Sequence, residues 1–162
     1  MLLKWENNYF EISGTENSFK IVQKTGGVVI APQVLKKFIL IRVKRMDQKE
    51  YWEFPRGFIE NDESFEHGAI RELREEMNIV TSDIHDLGEI KIDSGLILSN
   101  VRMVLAKVPE YELSKIELQD SEKILDYRLF SIDELCNLIR NKELVDSFTR
   151  SICLELLLDK DI

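Results

Sequence analysis

Apolar residues recur along the chain in two rhythms. Short alternating or continuous runs predict strands at Tyr9-Phe10-Glu11-Ile12-Ser13 and Phe19-Lys20-Ile21-Val22, joined through a turn over residues 14–18. All of residues 1–24 reads as extended, and a lone hairpin there must pack on the body of the protein or on another subunit. Residues 26–31 and 37–43 are near-continuous apolar runs separated by Pro32-Gln33-Val34-Leu35, the pattern of paired strands in a buried sheet. Residues 84–92 and 97–108 predict two more strands around Asp93-Ser94-Gly95-Leu96, and residues 123–130 a last one. Ser131-Ile132-Asp133-Glu134 is a capping-box pattern opening a helix to about Arg140. A final helix over residues 142–158 would set Val145, Phe148, Ile152 and Leu156 on one stripe.

The second rhythm, a helical one, is clearest in residues 63–78. Asp62 is the expected N-cap, the helix starting near Glu63 or Ser64, and Asn78 the expected left-handed end. On the helical wheel Gly68, Glu72, Glu75, Glu76 and Phe65 share one arc, beside an apolar stripe of Ile70, Leu73 and Met77. Glu72 repels Glu75 and Glu76 at these spacings. A hard divalent cation such as Mg²⁺ reverses that penalty, because it prefers carboxylate, water and phosphate oxygens, and such a site suits diphosphate chemistry. The plainer alternative is a solvated acidic face paired to Arg71 and Arg74. Gly57 and Gly68 leave room for close approach of backbone or ligand.

The order Gly57-x5-Glu63-x7-Arg71-Glu72-Leu73-x-Glu75-Glu76-x-Asn78-Ile79 resembles the Nudix box. Only Asn78 departs from it, where the family usually has Gly, and Asn is the next-best residue for a left-handed cap. The resemblance implies an α/β fold, an α/β/α sandwich with a mixed central sheet and an N-terminal β-hairpin. It divides the chain into residues 1–24, a strand segment for homodimerisation, and residues 25–162, the hydrolase domain. It implies a pyrophosphohydrolase using Mg²⁺ (or Mn²⁺) held by Glu72, Glu75, Glu76 and the Gly57 carbonyl, with Arg71 and Glu63 orienting those carboxylates. Glu75, Glu76 and Arg71 are the expected catalytic core, and Glu122, with Glu117 and Asp120 as rivals, is the expected general base in the acidic loop of residues 109–121 and its end. Arg45 and Arg56 are expected at substrate phosphate, and Trp52, Tyr9 or Phe10 against a nucleobase. The substrate so implied is a nucleoside diphosphate derivative of the ADP-ribose or nucleotide-sugar type. Relatives acting on ADP-ribose tend to carry Pro-Gly downstream of the box, and here Ser94-Gly95 stands there. Two other readings stay open, a non-catalytic nucleotide sensor on the same fold and hydrolysis of another diphosphate: a nucleoside triphosphate, a dinucleoside polyphosphate or an isoprenoid compound.

Composition narrows the classes without choosing among them. The 162 residues, 44% hydrophobic and 32% charged, suit one domain with a real core. A net charge of -8 argues against a nucleic-acid partner, which requires a basic face, but not against a nucleotide neutralised by metal. A membrane-length apolar run and a signal-peptide pattern are both missing, so a cytoplasmic, membrane-free protein is expected. Cys136 and Cys153 read as buried free thiols.

Overall fold

The computed structural model describes residues 2–119 and 123–159. Its centre is a mixed sheet in the order β11 (Ile124–Ser131), β5 (Lys37–Lys44), β4 (Gly27–Val34), β10 (Val101–Lys107) and β8 (Asp83–Ile90). The short strands β6 (Glu50–Glu53) and β7 (Arg56–Phe58) pair with β5 and β4. Strand alternation sends side chains to two separate cores. Val28, Ile30, Ile39, Ile41, Val104 and Ala106 meet Ala69, Leu73 and Met77 of helix α1 (Phe65–Met77). Val29, Ala31, Leu40, Met103 and Leu105 meet Leu135 of α2 (Ile132–Arg140) and Ile152, Cys153 and Leu156 of α3 (Ser147–Leu158). Both faces of the sheet are therefore covered, which is why its strands read as continuous apolar runs. The α/β/α sandwich expected from the resemblance is the fold observed.

Several boundaries differ from the sequence reading for local reasons. Strand β4 runs through Pro32 instead of ending before it. On the side away from β10 it pairs with β7 over residues 27–29 and with β5 only at Gln33 and Val34, so the missing proline N–H falls between the two ladders. The segment after β8 is broken: Ile97–Leu98 forms β9, which joins a second sheet, before β10 begins. Helix α3 starts at Ser147, capped by Asp146, and leaves Val145 half exposed ahead of it. The capping box of α2 is present, Ser131 Oγ accepting from Glu134 N–H and Glu134 from Ser131 N–H.

The second sheet has the order β1 (Leu2–Glu6), β2 (Phe10–Thr15), β3 (Ser18–Gln23), β9. The expected hairpin is thus extended by a strand on each side, and Lys24 fastens β1 through Glu6 at 2.9 Å.

Between β10 and β11, a 3-10 helix (Glu110–Lys115) is anchored by the buried Glu112. That carboxylate accepts from Val80 N–H at 2.9 Å and Lys115 Nζ at 2.7 Å. The Lys115 hydrogen bond first, then the Val80 N–H, holds the Glu112 carboxyl below its ordinary range. A depressed folded-state pKa contributes stability above the unfolded value, about 4.3 for Glu, and that contribution is lost as pH falls through the folded value. Glu112→Gln is expected to flatten the acid limb of the stability profile below about pH 4. Parallel denaturant titrations of wild type and variant at neutral and acid pH check this; equal slopes would reject it.

Candidate active site

Helix α1 is aimed by its two ends. Ser64, not Asp62, caps the start, its Oγ accepting from His67 N–H at 3.3 Å. Asp62 instead takes a left-handed turn conformation with φ 64°. This leaves Glu63 outside the helix, where it can fold back onto Arg71. Asn78 closes the helix at φ 57°, with its N–H on Arg74 O and Ile79 N–H on Leu73 O. Its amide also donates to Lys115 O at 3.0 Å, a tie to the next segment that Gly could not make.

Arg71 is the hub of the acidic face. It donates from Nε and Nη2 to the two oxygens of Glu63, each at 3.0 Å, and from Nη2 to Phe58 O at 2.7 Å. Its Nη1 reaches Glu72 at 2.7 Å and Glu75 at 3.0 Å. The paired carboxylates, Glu63 foremost, raise the Arg71 pKa above its ordinary value against the effect of burial. In return the Arg71 hydrogen bonds hold the Glu63 carboxyl below its ordinary range. One guanidinium thus joins the β7 loop to three acids.

Of these, Glu72 and Glu75 face a cavity of about 540 Å³, within the range of small-molecule sites. Gly57, Glu72, Glu75 and the buried Glu76 line it together. Gly57 is required by space: a Cβ there would lie 1.9 Å from Cδ of Glu72. A Cβ on Gly68 would meet Ile59 Cδ1 at 2.4 Å, so that glycine serves packing beside the site. Among the described residues no three His, Cys, Asp or Glu side chains converge closely enough to hold a metal ion. Glu72 and Glu75 are drawn onto Arg71. The set nonetheless fits a hard cation in its chemistry, oxygen donors only, and the Glu72 carboxylate lies against the Gly57 backbone at a distance that a Cβ there would forbid.

Gly57→Ala tests that fit. The colliding atoms are the far end of a flexible side chain, so the Glu72 carboxylate is expected to move while the fold persists. The expected result is a loss of turnover of about tenfold or more with a melting temperature within a few degrees of wild type. Full activity in the variant would remove Gly57 from the site.

Arg45, Arg56 and Phe148 line the same cavity, as do Tyr9, Phe10 and Phe58. Tyr9 stacks on Phe58 with centroids 4.4 Å apart, and Phe10 meets the Phe58 edge at 5.5 Å. Trp52 is not brought there. It packs edge-on against Phe130 at 5.6 Å, with Arg42 and Arg128 over its ring, because alternation in β6 turns it away from Glu53.

Glu122 and Asp120 lie outside the described residues. The segment leading to them is tied to the end of α1, Glu117 N–H to Met77 O and Gln119 N–H to Glu76 O, each at 3.2 Å, and Glu117 itself is exposed. Glu53, Asp146 and Phe58 are not singled out by the sequence, and Phe148 only as part of the apolar stripe of the final helix. The available signal was an acid, Glu53, set in a short strand between Arg45 and Arg56.

Comparison with known proteins bears on the family and the fold. The profile of the NUDIX domain matches residues 23–151. An uncharacterized Nudix hydrolase of Schizosaccharomyces pombe is 36% identical over 74 residues, a match covering 46% of this chain. That alignment takes in only 35% of the yeast protein's length. A crystal structure of an ADP compounds hydrolase superposes with a TM-score of 0.73 at 17% identity, over 96% of this chain and 89% of that one. Its agreement concerns the fold.

Proposed function

The chain belongs to the Nudix family, and from that premise we propose that it is a metal-dependent pyrophosphohydrolase acting on a nucleoside diphosphate linked to another moiety, of the ADP-ribose or nucleotide-sugar type. The observation that carries the proposal is one cavity bounded by the Glu72, Glu75 and Glu76 carboxylates, by Arg45, Arg56 and Arg71 and by an aromatic cluster. The resemblance of the fold to an ADP compounds hydrolase supports the substrate class.

Glu72, Glu75, Glu76 and the Gly57 carbonyl would hold Mg²⁺ or Mn²⁺. Such a cation, when bound, lowers the pKa of water and neutralises diphosphate oxygens. Arg71 holds the carboxylates in register, and Glu63 holds Arg71. Arg45 and Arg56 offer hydrogen-bond donors to phosphate, while Tyr9 on Phe58 presents a ring face for a base. Glu122 remains the proposed general base.

The exposed Leu2, Trp5 and Phe19 of the N-terminal sheet support residues 1–24 as the dimerisation segment. Among the described residues no helix is long and apolar enough to cross a membrane, and both cysteines are free, which supports a reducing cytoplasmic setting.

The test incubates the protein with Mg²⁺ and a panel of ADP-ribose, nucleotide sugars, dinucleoside polyphosphates and nucleoside triphosphates, with phosphatase-coupled detection. Cleavage that depends on added metal and favours the diphosphate-linked compounds is expected. Silence across the panel from folded protein would overturn the nucleoside diphosphate reading in favour of a diphosphate outside the panel or a sensor.

A further inference from the structure

Two of the cavity's arginines are joined by an acid that the substrate cannot reach. Glu53 is 1% exposed, and a carboxylate so far from water is tolerated only when its hydrogen bonds are made. It accepts a bidentate pair from Arg45, Nε and Nη2 both at 2.7 Å, and a further contact from Arg56 Nη2 at 2.7 Å. Arg56 continues to Asp146 Oδ1 at 3.0 Å and lies over the Phe148 ring at 4.8 Å. Asp146 is fixed in turn by capping α3 and by Thr149, whose Oγ1 also accepts from Phe54 N–H at 2.9 Å.

Formally this cluster is neutral, two guanidinium groups against Glu53 and Asp146. What matters is how its charges are exposed. The Glu53 side chain is 1% exposed and that of Asp146 12%, whereas those of Arg45 and Arg56 are 39% and 26% exposed and line the cavity. The acids are hidden and the donors presented. Without Glu53, the two cations would repel across a short gap and the more exposed of them, Arg45 from the loop between β5 and β6, would be released to solvent. Burial works to lower the Arg45 pKa, but Glu53, with Asp146 and Glu76 acting electrostatically, holds it above the ordinary value.

We propose that Glu53 is a positioning residue that yokes Arg45 and Arg56 into one donor surface for the phosphate oxygens of the substrate. The inference rests on the reading of the cavity as a diphosphate site. The two halves of the cavity are thereby distinct: α1 supplies the acidic wall, and the loop between β5 and β6 together with β7 supplies the donor wall, backed by the acids of β6 and the start of α3.

The experiment compares wild type, Glu53→Gln, Arg45→Ala and the double variant. It measures KM and kcat on the best panel substrate and the Kd for ADP in the presence of Mg²⁺ by calorimetry. Glu53→Gln is expected to raise KM and Kd about tenfold, the scale of one charge-assisted hydrogen bond, with kcat within about threefold. The double variant should be no weaker than Arg45→Ala, because the two substitutions disable one unit. An unchanged Kd in folded Glu53→Gln, or multiplicative losses in the double variant, would overturn the proposal and leave Glu53 a structural tie between β6 and α3. If Glu53→Gln does not fold, Arg45→Lys decides, since it keeps the charge and loses the bidentate geometry: a raised Kd supports the yoke and an unchanged one rejects it. The hydrolase reading fails separately, by absence of wild-type turnover, while the ADP titration still scores Glu53.

Discussion

Glu76→Gln is expected to lower kcat on the order of 10²–10³-fold while leaving the melting temperature nearly unchanged, the scale seen when one group that stabilises transition-state charge is removed. The substitution keeps volume and shape at a buried position, so packing against the α1 core is preserved. It removes one negative charge from a face on which Glu72 and Glu75 also stand, and relief of that repulsion offsets part of any lost contact. The expected pattern is therefore a functional loss without a folding loss. Paired turnover assays and thermal melts check it. A melting temperature that falls by ten degrees together with activity would show Glu76 to be a structural group.

Arg71→Ala should show the opposite balance, losing stability and function together. Removing the guanidinium leaves the carboxylates of Glu63 and Glu72, 15% and 13% exposed, without the cation that each contacts, and detaches Phe58 O from the helix. Breaking a partly buried charge cluster of this kind costs about 3 kcal/mol. In a chain of this length that corresponds to a fall of roughly 6–12 °C in melting temperature. Because Arg71 orients the acids without being a metal ligand, Mg²⁺ affinity is expected to weaken about 10–100-fold. Arg71→Lys keeps the charge but cannot span Glu63, Glu72 and Phe58 at once, so it should fall between wild type and alanine. A magnesium titration indistinguishable from wild type in folded Arg71→Ala would remove the orienting role.

How the acidic helix was legible in the sequence follows from its locality. Glu72, Glu75 and Glu76 share a face because they share a helix, and Asn78 ends that helix because few residues other than Gly tolerate φ 57°. The strand runs were legible for a similar reason, since burial on both faces leaves a continuous apolar signature. Trp52 shows the limit of such reading. Its neighbour Glu53 stands behind the cavity arginines, but a strand sends adjacent side chains to opposite faces, and only the packing of Phe130, Arg42 and Arg128 reveals which face is which. The N-cap is a smaller case: Asp62 and Ser64 are both good caps, and the turn at Asp62 with φ 64° decides for Ser64.

By itself, then, the sequence determined what local spacing determines: the helix with its acids, the glycine before it, the alternating sheet and the family to which the chain belongs. Tertiary structure decided which distant residues meet those acids. Arg45, Glu53, Arg56 and Asp146 are spread over a hundred positions and meet through β6, β7 and the start of α3. No periodicity carries that information, because long-range contacts depend on how whole elements pack, and packing sets the partner of each charge only after the chain has closed.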